Sequence, residues 1–281
     1  MKIIADSGST KTHWKVIDSK GVCCDFLSLG LNPYHFSLQD YAKAMRGAVQ
    51  HKVNHNSVKE VFFYGAGCAS SENRRQVSGC LHQLFPKAQI KVYTDLLGAA
   101  RALFGNSPGV VVVLGTGASV GYFTGTEIQR KTASLGYILG DEGSGAHMGK
   151  ELLRKWAYGE LLPELSQKLT SQFNLSVDAV LNGIYTNDYP ARFMAKFTSF
   201  LAENISYDQM QQIVKNSFTE LYNNHLVRYP ECKTGPIGVV GSIGKVFAPQ
   251  LNAVLNQYSI LVANIIQYPI DGLVDFHSQL Q

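Results

Sequence analysis

Three aspartates stand where a carboxylate does chemistry in an α/β protein. Asp6 ends the apolar run Ile3-Ile4-Ala5, Asp95 follows the run Ile90–Thr94, and Asp141 lies in Gly140-Asp141-Glu142-Gly143-Ser144. Ligand groups gather at the carboxyl ends of strands. A carboxylate there holds Mg²⁺ through water, or takes a proton from an attacking hydroxyl. Three turns of small residues also follow strand-like runs: Gly8-Ser9-Thr10-Lys11, Gly115-Thr116-Gly117-Ala118-Ser119 and Gly241-Ser242-Ile243-Gly244. Exposed backbone N–H groups in such turns, with hydroxyls beside them, surround phosphate oxygens. Two such turns facing each other would clamp one polyphosphate, and the third offers room for a base and ribose.

Each residue also has a plainer role. Asp6 suits the start of a hairpin turn, Asp95 and Ser144 suit helix caps, and Asn32 before Pro33 is an ordinary turn pair. What raises the chemical reading is repetition. Ile3-Ile4-Ala5, the turn 6–12, a strand to Ile17, the turn Asp18-Ser19-Lys20-Gly21 and a strand Val22–Leu29 have a counterpart later in the chain. There, Val110–Leu114 leads into the 115–119 turn, then Val120–Phe123, the turn Thr124-Gly125-Thr126 and a strand near Glu127–Lys131. A duplicated unit of three strands predicts two related halves.

The elements that position these residues follow from periodicity. Ser37–Val53 reads as a helix with Leu38, Tyr41, Ala42, Met45 and Val49 on one face. Val58–Tyr64 reads as a strand ending in Gly65-Ala66-Gly67, Ser71–Phe85 as a helix, Ile90–Thr94 as a strand and Leu96–Phe104 as a helix. In the second half, Ser144–Leu161 is a helix, the region from Leu162 to Tyr229 is mostly helical, and Ile237–Val240 is a buried strand. A helix follows from about Phe247, and Gly272–Leu280 is a last one.

Composition narrows the classes. A length of 281 residues suggests about two domains, and 45% hydrophobic against 16% charged residues marks an ordered globular chain. The net charge of +4 comes with no concentrated basic stripe, so nucleic acid is not an expected partner. The runs Val110–Leu114 and Ser259–Ile266 fall short of the roughly 20 residues that span a bilayer, and no signal-peptide core is visible. Cys23, Cys24, Cys68, Cys80 and Cys232 lack metal or disulfide spacing, which suits a cytoplasmic setting. His51 and His55 read as a helix end and not as a ligand pair.

Taken in order, DSGSTKT, LGLN, TD with a Gly-Ala-rich helix after it, LGTGAS, GDEGSG and GSIG span residues 6–244. This set resembles the actin-like fold of sugar kinases and heat-shock ATPases. Within it, the chain is similar to the N-acetylglucosamine kinase-like family, which also includes the activator ATPases of 2-hydroxyacyl-CoA dehydratases. The resemblance implies an α/β chain of two ribonuclease H-like domains, each built on a βββαβα core, with a nucleotide cleft between them. The first would cover residues 1–108 joined by a C-terminal helix at about 272–281, the second residues 109–271 with a helical insert at about 162–229. It implies ATP and Mg²⁺ as cofactors, a small-molecule sugar as substrate and a homodimer.

By position, the resemblance implies that Asp6 holds Mg²⁺ through water. Gly8, Ser9, Thr10 and Lys11 would form the first phosphate turn and Gly115, Thr116 and Gly117 the second, with Gly241 and Ser242 at adenosine. Asp95 would be the catalytic base, and Asn32, Thr116, Ser134, Leu135 and Asp141, with Asp95 itself, would contact the sugar. The reaction implied is phosphorylation of an amino sugar, N-acetylglucosamine foremost. A kinase for glucosamine or another hexose and a dehydratase-activating ATPase are the alternatives. A sugar-responsive regulator is a further one, although such relatives carry a DNA-binding extension before the first strand, which here starts at residue 2.

Overall fold

The computed structural model describes residues 1–278. The last helix is described only to Ser278, and the expected stretch to residues 280 or 281 lies outside the described residues. The chain forms two units. One holds Met1–Ser107, Phe123–Ile128 and the segment from Tyr268, and the other holds Pro108–Tyr122 and Gln129–Gln267.

In the first unit, β1 (Lys2–Ser7), β2 (Lys11–Asp18) and β3 (Gly21–Leu29) run antiparallel, each to the next. Helix α1 (Leu38–Val49) follows, then β4 (Glu60–Gly65), α2 (Ser71–Leu84), β5 (Gln89–Thr94) and α3 (Asp95–Phe104). The sheet order is β3-β2-β1-β4-β5, with β1, β4 and β5 parallel. Strand alternation then sorts the side chains between two faces. Ile3, Ala5, Trp14, Val61 and Phe63 pack under α1 and α2 through Tyr41, Met45, Val49, Val77 and Leu81. Ile4, Phe62 and Tyr64 face the other way, under α3 and the C-terminal helix.

The second unit repeats the plan with β6 (Gly109–Leu114), β7 (Ala118–Phe123) and β8 (Ile128–Lys131). Helices α4 (Gly136–Leu139), α5 (Gly145–Ala157), α6 (Pro163–Phe173), α7 (Val177–Tyr185), α8 (Pro190–Ala195), α9 (Thr198–Glu203) and α10 (Asp208–Asn224) come next. Then follow β9 (Ile237–Val240), α11 (Ser242–Val246), α12 (Ala248–Gln257) and β10 (Val262–Ile266), and α13 (Ile270–Ser278) returns to the first sheet. The second sheet reads β8-β7-β6-β9-β10, the first sheet's order over again, so the duplication seen in the sequence is real at the level of topology. Helix α10 buries Met210, Ile213, Val214, Ser217, Phe218 and Leu221, a stripe at helical spacing, in the second core.

Several expectations shift. The first helix stops at Val49, and Leu38 is 61% exposed at its first position, off the buried face. The helix expected to reach Leu161 ends at Ala157, where Tyr158 caps it and Gly159 takes a φ of 69° that breaks the helix. Strand β10 lies inside the apolar run Ser259–Ile266 and pairs parallel to β9. The His55 ring nitrogens lie 2.8 Å from the Leu84 carbonyl and 3.3 Å from that of Gln50, which stitches the end of α1 to α2. All five cysteines are free, and among the described residues no helix is long and apolar enough to cross a membrane.

Under α13, Arg101 donates to Tyr64 Oη at 2.9 Å, and Tyr64 Oη lies 2.8 Å from His277 Nε2. The Tyr64 hydroxyl thus bridges the guanidinium and the imidazole, whose ring lies in a buried, cationic setting. Burial first, then the charges of Arg101, Lys2 and Lys91, push His277 down to about 4. The stabilisation from the neutral imidazole is therefore complete above its unfolded value near 6.5, and is lost as pH falls towards 4. Between pH 6.5 and 5, denaturant titrations of wild type should show a stability slope with a His277 share of at most about 1.4 kcal/mol per pH unit. His277→Gln should remove that share; an unchanged slope would refute the assignment.

Candidate functional site

The register of the first sheet sets the geometry. Ser7 pairs with Gly65 and Gly65 with Thr94, so three parallel strands end level at their carboxyl edge. Asp6 points to the face of Ile4, which α3 covers, and α3 begins at Asp95. Thr94 caps that helix by accepting from the Leu97 N–H at 3.2 Å, while Asp95 Oδ1 accepts from Leu96 N–H at 2.9 Å. Cap and acid are thus neighbouring residues. The two carboxylates act on each other: burial first and the Asp95 charge second push Asp6 up to about 7, against the pull of Lys11.

The 8–11 turn is built by side chains that the sequence reading left without a role. Leu31 N–H donates to Ser7 Oγ at 3.1 Å, Ser7 Oγ lies 2.8 Å from Thr12 Oγ1, and Thr12 donates to the Leu29 carbonyl at 3.0 Å. This buried chain of hydroxyls locks residues 29–32 beside the turn. A Cβ on Gly30 would lie 2.5 Å from the Gly8 carbonyl oxygen, so glycine is required there. Asn32, 8% exposed, accepts from Tyr34 N–H at 3.1 Å and donates to Ser9 Oγ at 3.3 Å. On its other side a Cβ on Gly67 would stand 2.3 Å from Asn32 Oδ1. The structure therefore brings Asn32, Ser9 and the Gly65-Ala66-Gly67 turn together at the edge that carries Asp6 and Asp95. Lys11 Nζ lies 3.7 Å from the centre of the Tyr268 ring, and Thr10 is exposed.

In the second unit the level strand ends are those of β6, β9 and β10, since Val113 pairs with Val240 and Val240 with Ile266. The position matching Thr94-Asp95 holds Ile266-Gln267, so the acid of this half comes from a loop. Asp141 has a φ of 61°, unusual for a residue with a side chain. Its Oδ1 accepts from the Ala118 N–H at 3.3 Å, and a Cβ on Gly117 would lie 2.9 Å from its Oδ2. Burial, opposed by that N–H, pushes the Asp141 carboxyl up. Ser134 Oγ donates to the Ala118 carbonyl at 3.2 Å, which brings the 133–135 segment to the same place, with Leu135 60% exposed. Gly241 packs so closely that a Cβ would lie 2.1 Å from the Leu114 carbonyl, which sets Gly241 and Ser242 against the start of the 115–118 turn.

Many turn amides are already engaged. Gly8 N–H donates to the Lys11 carbonyl and Gly115 N–H to that of Gly117, both at 3.0 Å. The first amides of α5, Gly145 and Ala146, donate to the carbonyls of Gly115 and Thr116 at 2.9 and 3.0 Å. Gly8 and Gly115 therefore shape their turns with their own amides. Among the described residues no group of three or more His, Cys, Asp or Glu is arranged to hold a metal ion. The Asp6 and Asp95 pair does fit a divalent cation: two mutually repelling carboxylates are relieved by one. Mg²⁺ takes one or two carboxylates and fills its shell with water and phosphate oxygens.

No protein-family model and no curated protein matches the chain. Solved structures do. A candidate N-acetylglucosamine kinase from Porphyromonas gingivalis is 31% identical, with a TM-score of 0.93 over 99% of both chains. A candidate N-acetylglucosamine kinase from Chromobacterium violaceum reaches 0.70 at 16% identity over 98% of both. A ROK family glucokinase from Streptomyces griseus, solved with glucose and AMPPNP, reaches 0.60 at 17% identity over 99% of this chain and 98% of that one. The last two carry the fold alone. With the same duplicated sheets and near one-third identity over full length to the first, the chain belongs to the actin-like sugar kinase family, on its N-acetylglucosamine kinase-like branch.

Proposed function

We propose that this protein transfers the γ-phosphoryl group of ATP to a hydroxyl of an amino sugar, with N-acetylglucosamine as acceptor and its 6-phosphate as product. The observation that carries the reading is the pair Asp6 and Asp95, level at one sheet edge beside Asn32. Phosphoryl transfer asks the protein for little besides position and charge. The acceptor oxygen must lie in line with the phosphorus, and its proton must leave as the new P–O bond forms.

Asp95 takes that proton on its carboxylate, and Asp6 is the anchor for Mg²⁺. The ion, when bound, neutralises charge on the phosphates. Ser9, Thr10 and Lys11, in the turn shaped by Gly8, bind phosphate oxygens. Thr116, in the turn shaped by Gly115 and Gly117, has the same role. Gly241 and Ser242 pack against adenosine. Asn32, Thr116, Ser134, Leu135 and Asp141 orient the sugar; the buried carboxylate of Asp141 suits a hydroxyl donor, and Leu135 supplies an apolar surface. The 31% identity to a candidate N-acetylglucosamine kinase favours that sugar over glucosamine or another hexose.

The activator ATPase reading needs cysteines that present sulfur together. Cys23 and Cys24 are adjacent on β3, but their thiols donate to different carbonyls, those of Val16 and Lys52, and this argues against a shared cluster.

Coupled ADP-release assays with ATP, Mg²⁺ and a panel of N-acetylglucosamine, glucosamine, N-acetylmannosamine and glucose test the proposal. We expect the strongest turnover with N-acetylglucosamine. Asp95→Asn should fold, bind ATP within a few-fold of wild type, and lose about 10²–10⁴-fold in sugar-dependent kcat. Full activity in that variant would overturn the base assignment. Asp6→Asn should lose Mg²⁺-dependent activity yet gain stability in the metal-free protein. The sign follows from the raised Asp6 value: its favourable share is complete below about 4 and is lost as pH rises through about 7. The gain in Tm should therefore be a few degrees at pH 8, fall to roughly a third of that by pH 5 and vanish towards pH 4; an equal gain at pH 8 and pH 4 would argue against it.

A further inference from the structure

The helical insert does more than add bulk to the second core. Behind the loop that carries Asp141, one face of α10 and its cap present Ser217, Glu220, Asn224 and His225. Gly143 N–H donates to Ser217 Oγ at 3.1 Å, and the same oxygen lies 2.8 Å from His147 Nδ1. His147 Nε2 lies 3.2 Å from Glu220 Oε2. One residue back, the Glu142 carboxylate is held at both oxygens: Asn224 Nδ2 donates to Oε1 at 2.8 Å and His225 Nε2 lies 2.9 Å from Oε2.

Ser217, His147 and Glu220 are the residue types of a hydrolytic triad, but the serine does not serve as one. It is 2% exposed and its oxygen is occupied by the Gly143 amide, so no substrate carbonyl reaches it. What the arrangement does is grip two consecutive residues, Glu142 and Gly143, directly after the one non-glycine of this loop with a left-handed backbone. A left-handed residue with a side chain costs about 1–2 kcal/mol and persists only where its surroundings hold it. From the front, Ala118 N–H takes the Asp141 carboxylate. From behind, α10 takes the backbone and the next side chain.

We propose that α10 is the strut that fixes the Asp141 carboxylate for the acceptor sugar, with Ser217 and His225 as positioning residues. This rests on the kinase reading for the role of Asp141, while the tether itself does not. Loosening it lets the loop relax from φ near 61°, and the carboxylate swings out of register with Ala118. The sugar is then held less well and the nucleotide is not affected.

The test uses the full-length chain with Ser217→Ala, His225→Leu and His225→Gln, the last keeping a donor for Glu142. Steady-state kinetics are read against both substrates, and hydrogen exchange is followed over residues 140–146. We expect Ser217→Ala and His225→Leu to raise the sugar KM about tenfold, the size of one lost buried hydrogen bond. The ATP KM should stay within about twofold and exchange in the 140–146 segment should quicken about tenfold. His225→Gln should recover most of both. Unchanged sugar KM and exchange, or a matching rise in the ATP KM, would overturn the proposal. Should wild type be silent on every sugar, the kinase reading falls, and the exchange rates alone decide the tether: faster in Ser217→Ala upholds it, and no change refutes it.

Discussion

Two carboxylates held level at one sheet edge repel each other, and the first unit is organised around keeping them there. The parallel register of β1, β4 and β5 fixes Asp6 and Asp95 against backbone hydrogen bonds, which do not yield to a local repulsion. Thr94 caps α3 and so sets where Asp95 begins its helix. The hydroxyl chain through Ser7 and Thr12 holds the neighbouring loop without any charge of its own. The consequence is a site that is electrostatically unfinished, with Asp6 raised to about 7 until a proton or a cation relieves it. Such a group destabilises the empty protein, which is the expected trade between stability and function and marks it as a candidate functional residue.

The second unit repeats the topology and solves the same problem by another route. At the strand position corresponding to Thr94-Asp95 it has Ile266-Gln267, and its acid arrives on a turn between α4 and α5. A strand end needs no outside help to stay in place; a turn with a left-handed aspartate does. That difference accounts for the polar network of Glu142, His147, Ser217, Asn224 and His225 on an otherwise apolar helix face, and for the 2% exposure of Ser217 in the middle of the α10 stripe. Duplication supplied the sheet, and the insert supplied the support that the sheet edge no longer gives.

The parts of this architecture that were legible in the sequence are those written in short-range pattern. The two strand-turn-strand units, the helix faces of α1 and α2, and the order of the glycine turns all follow from periodicity and turn chemistry. The Asp6, Asp95 and Asp141 positions are visible because each sits at a pattern break. What stayed hidden depends on contacts distant in sequence. Ser217 is an unremarked polar residue in a helical run until Gly143, 74 positions away, is seen donating to it. Gly30 and Gly67 look like ordinary loop glycines until Gly8 and Asn32 are found in the space a side chain would need. Strand β10 is not visible in the apolar run Ser259–Ile266 by itself, because Val262, Ile265 and Ile266 carry only a partner-dependent signal, supplied by β9.

The glycines also qualify how small-residue turns are read. A sequence with three such turns suggests three cradles of free amides. Here the Gly8 and Gly115 amides close their own turns, and the start of α5 is consumed by the carbonyls of Gly115 and Thr116. The glycines at Gly30, Gly67, Gly117 and Gly241 serve to let backbone, asparagine or aspartate approach within van der Waals limits. By omitting a Cβ they let Asn32 and Asp141 lie flat against the turns. In the kinase site proposed above, the phosphate contacts then fall to the residues beside Gly8 and Gly115, namely Ser9, Thr10, Lys11 and Thr116.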